Sequence, residues 1–432
     1  MIRDSRAILA LLTGLNFLNY IDRAVIAAVL TPMKAELGLT NFEAGVLNLA
    51  FLIGYFLTSP LFGMRADKSH RKGLITLGVL VWSAATVASG LAAGFWTLLI
   101  ARVVVGVGEA SFAVLAPTII DDITPLDRKG TALSIFYIAI PLGYALGYIL
   151  GGQLGGHWGW RTAFFGVGGP GVVLALSVLL IAEPPRKLLD AKARLIDGLR
   201  ELAAIPLFRR AVLGYCAYTG AVAAFSYWVM DFIQQAFPHQ LSLAAANSYF
   251  GLVLIVSGAI GTLIGGRFAN RASASQRVGA DEPFDSPGNK LAVNSLLKIA
   301  AISMAAAAPL SALGFFLPGY VAFFAVSFFV QIGLFAVTSP VNATFLRAVP
   351  VERRASAMAA SIFSIHLFGD LWSATVLGLL LDNLDLKIAM LSLPLTFLWA
   401  AYTWRPRARE AGPSGRATGA GGLPKAHVHA TT

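Results

Sequence analysis

Two pairs of charged residues stand inside long apolar runs of this sequence. Asp22 and Arg23 are adjacent in the first run. Arg102 and Glu109 are seven residues apart in another, which is two turns along one face of a helix. A carboxylate in an apolar environment gains or loses a proton as a neighbouring arginine moves away or returns, and a guanidinium binds phosphate or carboxylate through paired hydrogen bonds. These residue types therefore predict proton exchange and anion binding inside a membrane.

The elements that hold these charges are predicted to be membrane-spanning helices. The chain has 432 residues, of which 57% are hydrophobic and 13% charged, whereas a soluble domain carries about 25% charged residues. Apolar runs of about 20 residues, the length that crosses a bilayer, predict twelve spans, at residues 8–30, 42–63, 74–93, 96–119, 129–152, 160–181, 211–236, 246–266, 292–315, 319–341, 355–381 and 386–404. The sequence therefore predicts an all-α membrane protein without a separate soluble domain.

Basic residues predict the orientation of these spans. When Arg23 and Arg102 are counted as lying within spans and every other Lys or Arg is assigned to its nearest connection or terminus, 28 of the 33 fall on the side of the termini and the even-numbered connections and three on the other side. The positive-inside rule then places both termini in the cytoplasm, with the bacterial inner membrane as the expected location. This distribution accounts for the net charge of +11 without nucleic acid. The single cysteine, Cys216, excludes a disulfide framework, and no metal or other cofactor is predicted.

The spans divide into two similar halves around a polar segment. The segments are a first six-helix bundle at 1–182, a linker at 183–210, a second six-helix bundle at 211–405 and a disordered cytoplasmic tail at 406–432. Leu and Ile recur at helical spacing in the linker, which predicts an amphipathic helix on the cytoplasmic face, with a solvated connector as the alternative. The halves repeat, since the fourth and fifth spans of each are joined by matching loops, PLDRKGTAL and PVERRASAM.

Several motifs carry a resemblance to a known family. They are GMRADKSHRKG at 63–73, RVVVGVGEA at 102–110, LNYIDR at 18–23, GVGEASFAVLAPTIIDD at 106–122, LSIFYIAIPLGYALGYILGG at 133–152 and EPPRK at 183–187. The first two resemble signatures of the major facilitator superfamily, and the others together resemble the spinster family of lysolipid and sphingolipid transporters. The resemblance is dense over residues 15–190 and weaker in the second half. It implies two bundles that rock about a midplane site.

The resemblance gives the intramembrane charges their expected roles, because it implies that spans one and four line the cavity of the first half. Asp22 and Glu109 are the predicted proton-coupling pair, and Arg23 and Arg102 the predicted anion-binding side chains. Asp22 or Glu109 is expected to pair with Arg102. Adjacent helix positions point about 100° apart, so Arg23 is expected to pair elsewhere as the gate closes. A static salt bridge that locks the two helices together is the alternative.

A cytoplasmic latch is implied by the loop signature between spans two and three. In the superfamily, the Asp of this loop caps a helix of the other half when the transporter is open outward, a favourable place for an anion. A basic loop that only sets topology is the alternative. The predicted gating residues are Gly63, Asp67, Arg71, Lys72, Asp122 and Arg128.

The second half carries further candidates for substrate binding. Tyr215, Tyr218 and Trp228 stand in span seven, where they could hold an acyl chain and a polar head or serve as interfacial anchors. His366 and Asp370 are four residues apart on one face of span eleven. A third metal ligand is not evident, so a polar pair lining the cavity is the favoured interpretation.

These observations predict a transporter and no enzyme. The expected substrate is an amphipathic anionic lipid, of the lysophospholipid or sphingoid phosphate type. The sequence is compatible with proton-coupled transport and with uniport. A proton-coupled transporter of a small soluble organic anion is the first alternative. A membrane-embedded lipid-modifying enzyme is the second, disfavoured because no nucleophile and base set is present. The expected partners are the substrate, membrane lipids and protons, and the chain is expected to act as a monomer.

Overall fold

The computed structural model of the protein describes residue 2 and residues 4–66, 70–182, 195–275 and 283–407. Two predicted features therefore lie partly or wholly outside the described residues. They are the first part of the linker, 183–194, and the tail beyond residue 407. The second part of the linker is a helix, Leu195–Ala204, whose Glu201 accepts a hydrogen bond from Arg353 at 2.5 Å.

Twelve helices of spanning length follow one another along the described chain. They are α1 (Ser5–Ala28), α2 (Asn41–Ala66), α3 (Arg71–Gly90), α4 (Phe95–Ile123), α5 (Lys129–Trp158), α6 (Trp160–Val178), α7 (Pro206–Ala236), α8 (Leu243–Ser275), α9 (Pro287–Phe316), α10 (Tyr320–Arg347), α11 (Ser356–Asn383) and α12 (Leu386–Trp404). Within the described residues, the eleven helices from α2 to α12 are long and apolar enough to cross a membrane. The helix α1 is less apolar because it carries Asn16, Asn19 and the three charged residues Arg6, Asp22 and Arg23. The predicted all-α membrane fold is confirmed.

Local sequence signals set where these helices begin and end. The Asp4 carboxylate accepts a hydrogen bond from the Arg6 amide at the start of α1. Thr40 and Glu43 form a reciprocal capping box at the start of α2, where each side chain accepts from the other residue's amide. Gly38, with a φ of 64°, ends the short helix Leu30–Leu37 in the left-handed conformation that glycine favours.

Two helices are irregular near their middle. The helix α5 consists of two segments, Lys129–Tyr137 and Ala139–Trp158, and the Phe136 carbonyl at the break accepts a hydrogen bond from Asn16 of α1. In the corresponding helix of the second half, α11, the segment His366–Asp370 is a π-helix. Such irregular turns are common at functional sites.

The helices α2 and α4 approach each other closely at Gly106, which lies between Arg102 and Glu109. A Cβ added at Gly106 would stand 2.1 Å from the Phe51 carbonyl oxygen and 2.9 Å from the Tyr55 nitrogen. Because both atoms belong to the backbone, neither can turn aside. The hydrogen side chain of Gly106 therefore sets the distance at which α2 presents Phe51 and Tyr55 to α4.

We expect Gly106→Ala to destabilise the fold by about 1–3 kcal/mol, the range for overpacking. An unfolding titration with sodium dodecyl sulfate measures the change. The matched control is Gly14→Ala, since a Cβ at Gly14 of α1 meets nothing within 4 Å and alanine is the better helix former. Equal stability of the two variants would contradict the close approach at Gly106.

Among the described residues, the hydrogen bonds between the two halves lie toward one side of the molecule. We call this the outer side, after the predicted topology; it holds the odd-numbered connections, such as the one between α1 and α2. The Tyr227 hydroxyl donates to the Ala44 carbonyl at 2.6 Å, and the Asp382 carboxylate accepts from the amides of Asn41 and Phe42 at 2.9 and 2.7 Å. Asp382, at the end of α11, thus caps the first turn of α2 in the other half.

An ion pair reinforces this closure. The Lys34 ammonium lies 2.7 Å from the Asp231 carboxylate of α7, which also accepts hydrogen bonds from Thr31 and Gln235. Among the described residues, the hydrogen bond between halves that lies furthest from the outer side joins Tyr148 to Ser226. These two residues are ten positions from the outer ends of α5 and α7. The halves are therefore sealed on the outer side and carry no hydrogen bond between them on the inner side, within the part of the chain that the structure describes.

Candidate functional site

The first pair at the site joins α1 to α4. The Arg23 Nε lies 2.7 Å from the Glu109 Oε2. The Glu109 side chain is fully buried, whereas 15% of the Arg23 side chain is exposed. A hydrogen bond between a guanidinium and a carboxylate is among the strongest that side chains form. In this pair the Glu109 carboxylate is buried, and it holds the Arg23 side chain, which is partly accessible, in place.

Aromatic rings surround the Arg23 guanidinium. Its carbon Cζ lies 5.1 Å from the centroid of Tyr20, 5.2 Å from Phe51 and 5.1 Å from Tyr55. The Tyr144 ring of α5 packs against Tyr20 with a centroid distance of 5.5 Å. Cation–π contacts of this kind stabilise an arginine where water is partly excluded. The rings hold the guanidinium in place while leaving part of it accessible.

The second carboxylate, Asp22, faces a different helix. Its Oδ2 accepts a hydrogen bond from the Thr86 hydroxyl of α3 at 2.5 Å, and its Oδ1 has no partner among the described residues. Asp22 is buried and points away from Arg23, as adjacent positions on a helix require. The structure thus brings Asp22 and Glu109 into one region but bonds them to different partners.

The predicted partner of these acids, Arg102, is not bonded to either. Arg102 is 2% exposed, and among the described residues none forms a hydrogen bond or ion pair with its guanidinium. Its Cζ lies 4.8 Å above the ring of Phe51. The expectation that Asp22 or Glu109 pairs with Arg102 is therefore wrong for this conformation. The physical reason is the reach of Arg23, whose long side chain extends to Glu109 and takes the place expected for Arg102.

Three of the predicted substrate-binding residues lie in the core of the second half. Tyr215 and Tyr218 stack with a centroid distance of 5.3 Å, and the Tyr218 hydroxyl donates to the Leu334 carbonyl. Trp228 is fully buried and donates from Nε1 to the Ala374 carbonyl at 2.9 Å. These contacts are those of packed core residues, so the structure does not bring the three side chains together with Arg23.

His366 and Asp370 form the expected pair on α11. The His366 Nδ1 lies 2.7 Å from the Asp370 Oδ2, and the ring of His366 lies 5.7 Å from that of Phe56 on α2. The His366 side chain is 36% exposed. The π-helical segment thus presents a bonded histidine and aspartate to the first half, near the inner end of the contact between α2 and α11.

The predicted latch residues bind within the first half. The Arg71 guanidinium lies 2.7 Å from the Asp122 carboxylate and 3.1 Å from the Thr118 hydroxyl, which ties α3 to α4. Lys72 donates to the Ile181 carbonyl at 3.1 Å. These bonds fix the inner ends of three helices relative to one another.

Three other latch residues are placed differently. Gly63 is on α2, where an added Cβ would meet only the Val114 side chain at 4.0 Å. Asp67 lies outside the described residues. Arg128 is exposed and lies 3.6 Å from Asp127. Their gating role remains a prediction.

The sequence pattern did not single out several residues of this region. They are Thr86, Tyr20, Phe51, Tyr55, Lys34 and Asp382. Lys34 carried a detectable signal, since it is one of three basic residues on the outer side of the predicted topology. The aromatic residues carried none, because aromatic side chains are frequent throughout membrane spans.

The chain matches known proteins over nearly its whole length. Residues 12–369 match the model of the Major Facilitator Superfamily. The chain is 31% identical over 429 residues to an Arabidopsis thaliana protein named "Probable sphingolipid transporter spinster homolog 2", covering 90% of this chain and 84% of the relative. It is 30% identical over 409 residues to the Homo sapiens "Protein spinster homolog 1", covering 88% and 74%.

A solved structure shares the fold. It is a bacterial homolog of the human lysosomal transporter spinster, in an inward-facing and occupied conformation, with a TM-score of 0.80 at 22% identity over 95% of this chain and 99% of that chain. These likenesses agree with the prediction of a multi-pass membrane transporter that is not an enzyme. The chain belongs to the major facilitator superfamily and, within it, to the spinster family.

Proposed function

We propose that this transporter moves an amphipathic anionic lipid, of the lysophospholipid or sphingoid phosphate type, by alternating access. The Arg23 guanidinium, ringed by three aromatic side chains and partly exposed, is the observation that carries the proposal. A guanidinium suits a phosphate head group, and the surrounding rings suit the first part of an apolar tail. The names of the relatives, which include a sphingolipid transporter, support the same substrate class.

Proton coupling follows from the competition for Arg23. The head-group phosphate and the Glu109 carboxylate bind the same guanidinium, so the binding of either anion to Arg23 weakens the binding of the other. A proton on Glu109 removes its charge and frees Arg23 for the phosphate. Asp22, with one oxygen bonded to Thr86 and the other without a partner among the described residues, is the second proton carrier.

Alternating access requires the outer closure to open. We propose that the termini are cytoplasmic and that the conformation described here is open to the cytoplasm, because the bonds between the halves are at the outer side. The bundles at 1–182 and 211–405 rock as units, joined by the linker at 183–210. The inner latch around Asp67 closes as the outer bonds break.

Flux of labelled substrate into proteoliposomes tests substrate and coupling together. Lysophosphatidic acid and a short-chain carboxylate such as lactate are offered with and without a pH gradient. We expect lysophosphatidic acid to accumulate, and to accumulate more under the gradient. Transport of lactate alone would favour the soluble-anion alternative, and conversion of the lipid without transport would favour an enzyme.

The Lys34–Asp231 pair should set the balance between the two conformations. We expect Asp231→Asn to shift this balance about tenfold toward the outward-open state, since hydrogen bonds to charged groups contribute about 1.5–3 kcal/mol. Spin labels at Leu91 and Leu384, in a Cys216→Ser background, report the distance across the outer side by pulsed electron resonance. The exchanged pair, K34D with D231K, should restore the closed distance.

A matched control comes from another ion pair on the same side. Glu36 lies 2.8 Å from Arg161, and both belong to the first half. Breaking this pair with Glu36→Gln should leave the distance distribution unchanged, because it does not join the halves. If Glu36→Gln opens the outer side as much as Asp231→Asn, the closure does not depend on the bond between the halves.

A further inference from the structure

A lysine of the first half places its ammonium group in a polar pocket that closes between the two halves. Lys34 is on the short helix Leu30–Leu37, and its side chain is 12% exposed. Its Nζ atom lies 2.7 Å from the Asp231 Oδ2 of α7 and also donates to the Asn41 Oδ1. The Trp228 ring borders the same group, with its centroid 5.1 Å from Nζ. The pocket therefore holds a primary ammonium by two bonds to oxygen, beside an indole ring.

The Asp231 carboxylate takes most of its bonds from the other half. Its Oδ1 accepts from the Thr31 hydroxyl at 2.9 Å, and its Oδ2 accepts from Lys34 and, at 2.8 Å, from the Gln235 amide. Thr31 and Lys34 belong to the first half, whereas Gln235 follows on α7. Asp231 is 1% exposed. In the closed conformation Asp231 is thus a buried charge that a cation of the first half compensates.

Opening of the outer side would take these partners away from Asp231. The helix α7 ends at Ala236, five residues after Asp231, so the carboxylate stands near the mouth of the opening. When the halves separate there, Lys34 and Thr31 move with the first half. A carboxylate that loses its cation is costly in a partly buried place. The second half therefore presents a carboxylate beside an indole ring, at a place that a primary ammonium has just left.

The chemistry of the pocket favours an ammonium over a metal ion. Ca²⁺ and Mg²⁺ take about six or more oxygen ligands. Among the described residues, no group of three or more His, Cys, Asp and Glu side chains could hold a metal ion. An ammonium has three N–H donors, and Lys34 satisfies two of them in this pocket. One carboxylate with a neighbouring amide oxygen is therefore enough for an ammonium.

We propose that Asp231 binds the primary ammonium of the transported lipid in the outward-open state, at the place that Lys34 takes when the outer side closes. The inference rests on the function proposed above and deepens it. Within that substrate class it selects lipids that carry a primary ammonium as well as a phosphate, such as a sphingoid phosphate. The lipid and Lys34 compete for one carboxylate, so the outer side closes on Lys34 only after the lipid has left Asp231.

Uptake of two matched lipids at the outer face tests this assignment. Sphinganine 1-phosphate carries a phosphate and an ammonium, and its N-acetyl derivative carries the same phosphate and a neutral amide. In right-side-out membrane vesicles without a pH gradient, we expect the wild type to have a half-saturating concentration about tenfold or more lower for the amine, as for a hydrogen bond between charged groups. The two values should become similar in Asp231→Asn. A looser outer closure acts on both lipids alike, so their ratio reports recognition of the ammonium.

The matched control is Asp382→Asn. Asp382 belongs to the same closure but bonds to the backbone amides of Asn41 and Phe42, so this variant should keep the ratio of the wild type. A wild-type ratio near one, or an unchanged ratio in Asp231→Asn, overturns the ammonium assignment and leaves the proposed function standing. A wild type that carries neither lipid overturns the proposed function, and the assignment with it.

A second measurement keeps Asp231 intact, in case Asp231→Asn does not fold. Lys34→Ala removes the ammonium from the pocket, so the distance between spin labels at Leu91 and Leu384 should lengthen, again in the Cys216→Ser background. Ethylammonium should restore the closed distance by taking the vacated place, whereas sodium at the same ionic strength should not. A lack of restoration by ethylammonium, or equal restoration by sodium, overturns the assignment, because the pocket would then not recognise an ammonium.

Discussion

Glu109→Gln should abolish lipid accumulation driven by a pH gradient and at the same time tighten the binding of anionic lipid. Glutamine keeps the size of the side chain but cannot exchange a proton, so the gradient has no carrier at this position. Arg23 is then free of its bond at 2.7 Å to a competing carboxylate. Since a hydrogen bond between charged groups contributes about 1.5–3 kcal/mol, we expect the dissociation constant to fall about tenfold or more.

Two measurements distinguish this result from simple loss of function. Proteoliposome flux under a pH gradient reports coupling, whereas exchange of labelled for unlabelled lipid without a gradient reports transport that needs no net proton movement. We expect Glu109→Gln to lose the first and retain the second. Asp22→Asn should lose gradient-driven flux without the gain in affinity, because Asp22 is bonded to Thr86 and not to Arg23. Normal accumulation under the gradient in both variants would falsify the coupling role.

Arg23→Gln should have the largest effect on substrate binding from the inner side. The change removes the cation that is held by three aromatic rings and leaves Glu109 buried without its partner. Loss of two charge-assisted hydrogen bonds to a phosphate corresponds to about 3–5 kcal/mol, or roughly a hundredfold or more in the dissociation constant. Binding of lysophosphatidic acid to the purified protein by calorimetry measures the change.

The control for Arg23→Gln is a ligand without charge. A monoacylglycerol has the same acyl chain but no phosphate, so its binding should change little in the variant if the tail contacts are intact. Arg23→Lys should bind the phosphate with intermediate strength, because lysine keeps the charge but not the planar fork. Equal loss of both ligands would indicate that Arg23 supports the fold of the cavity and does not bind the head group.

The Arg23–Glu109 bond also explains how the fold tolerates buried charges at this site. A buried carboxylate and a buried guanidinium are each costly alone and become tolerable when bonded. Here Glu109 is bonded to Arg23, and Asp22 to a neutral hydroxyl. These bonds stabilise Glu109, Arg23 and one oxygen of Asp22. Arg102 and the other oxygen of Asp22 have no bonding partner among the described residues, so they can form new bonds when the conformation changes.

The sequence by itself determined the elements of this protein. Apolar run length predicts the helices, because a bilayer requires about 20 apolar residues per span. Capping residues such as Thr40 and Glu43 mark helix starts through local bonds. Charges within apolar runs predict Asp22, Arg23 and Glu109 as candidate functional residues, because only a functional or paired role compensates their burial. All of these signals are local, so they need no knowledge of neighbouring helices.

Only the tertiary structure decided which charged side chains are bonded to each other. Depth along a helix follows from residue number, but the rotation of α1 about its axis and the reach of the Arg23 side chain follow from packing against α4 and α5. Contacts set by residues far apart in the chain, such as Gly106 against Phe51, fix that packing. The outer closure is of the same kind, since Asp382 and Asn41 are 341 positions apart. Bonds between distant helices depend on the assembled bundle, and for that reason the pairing of Glu109 with Arg23 could not be read from the sequence.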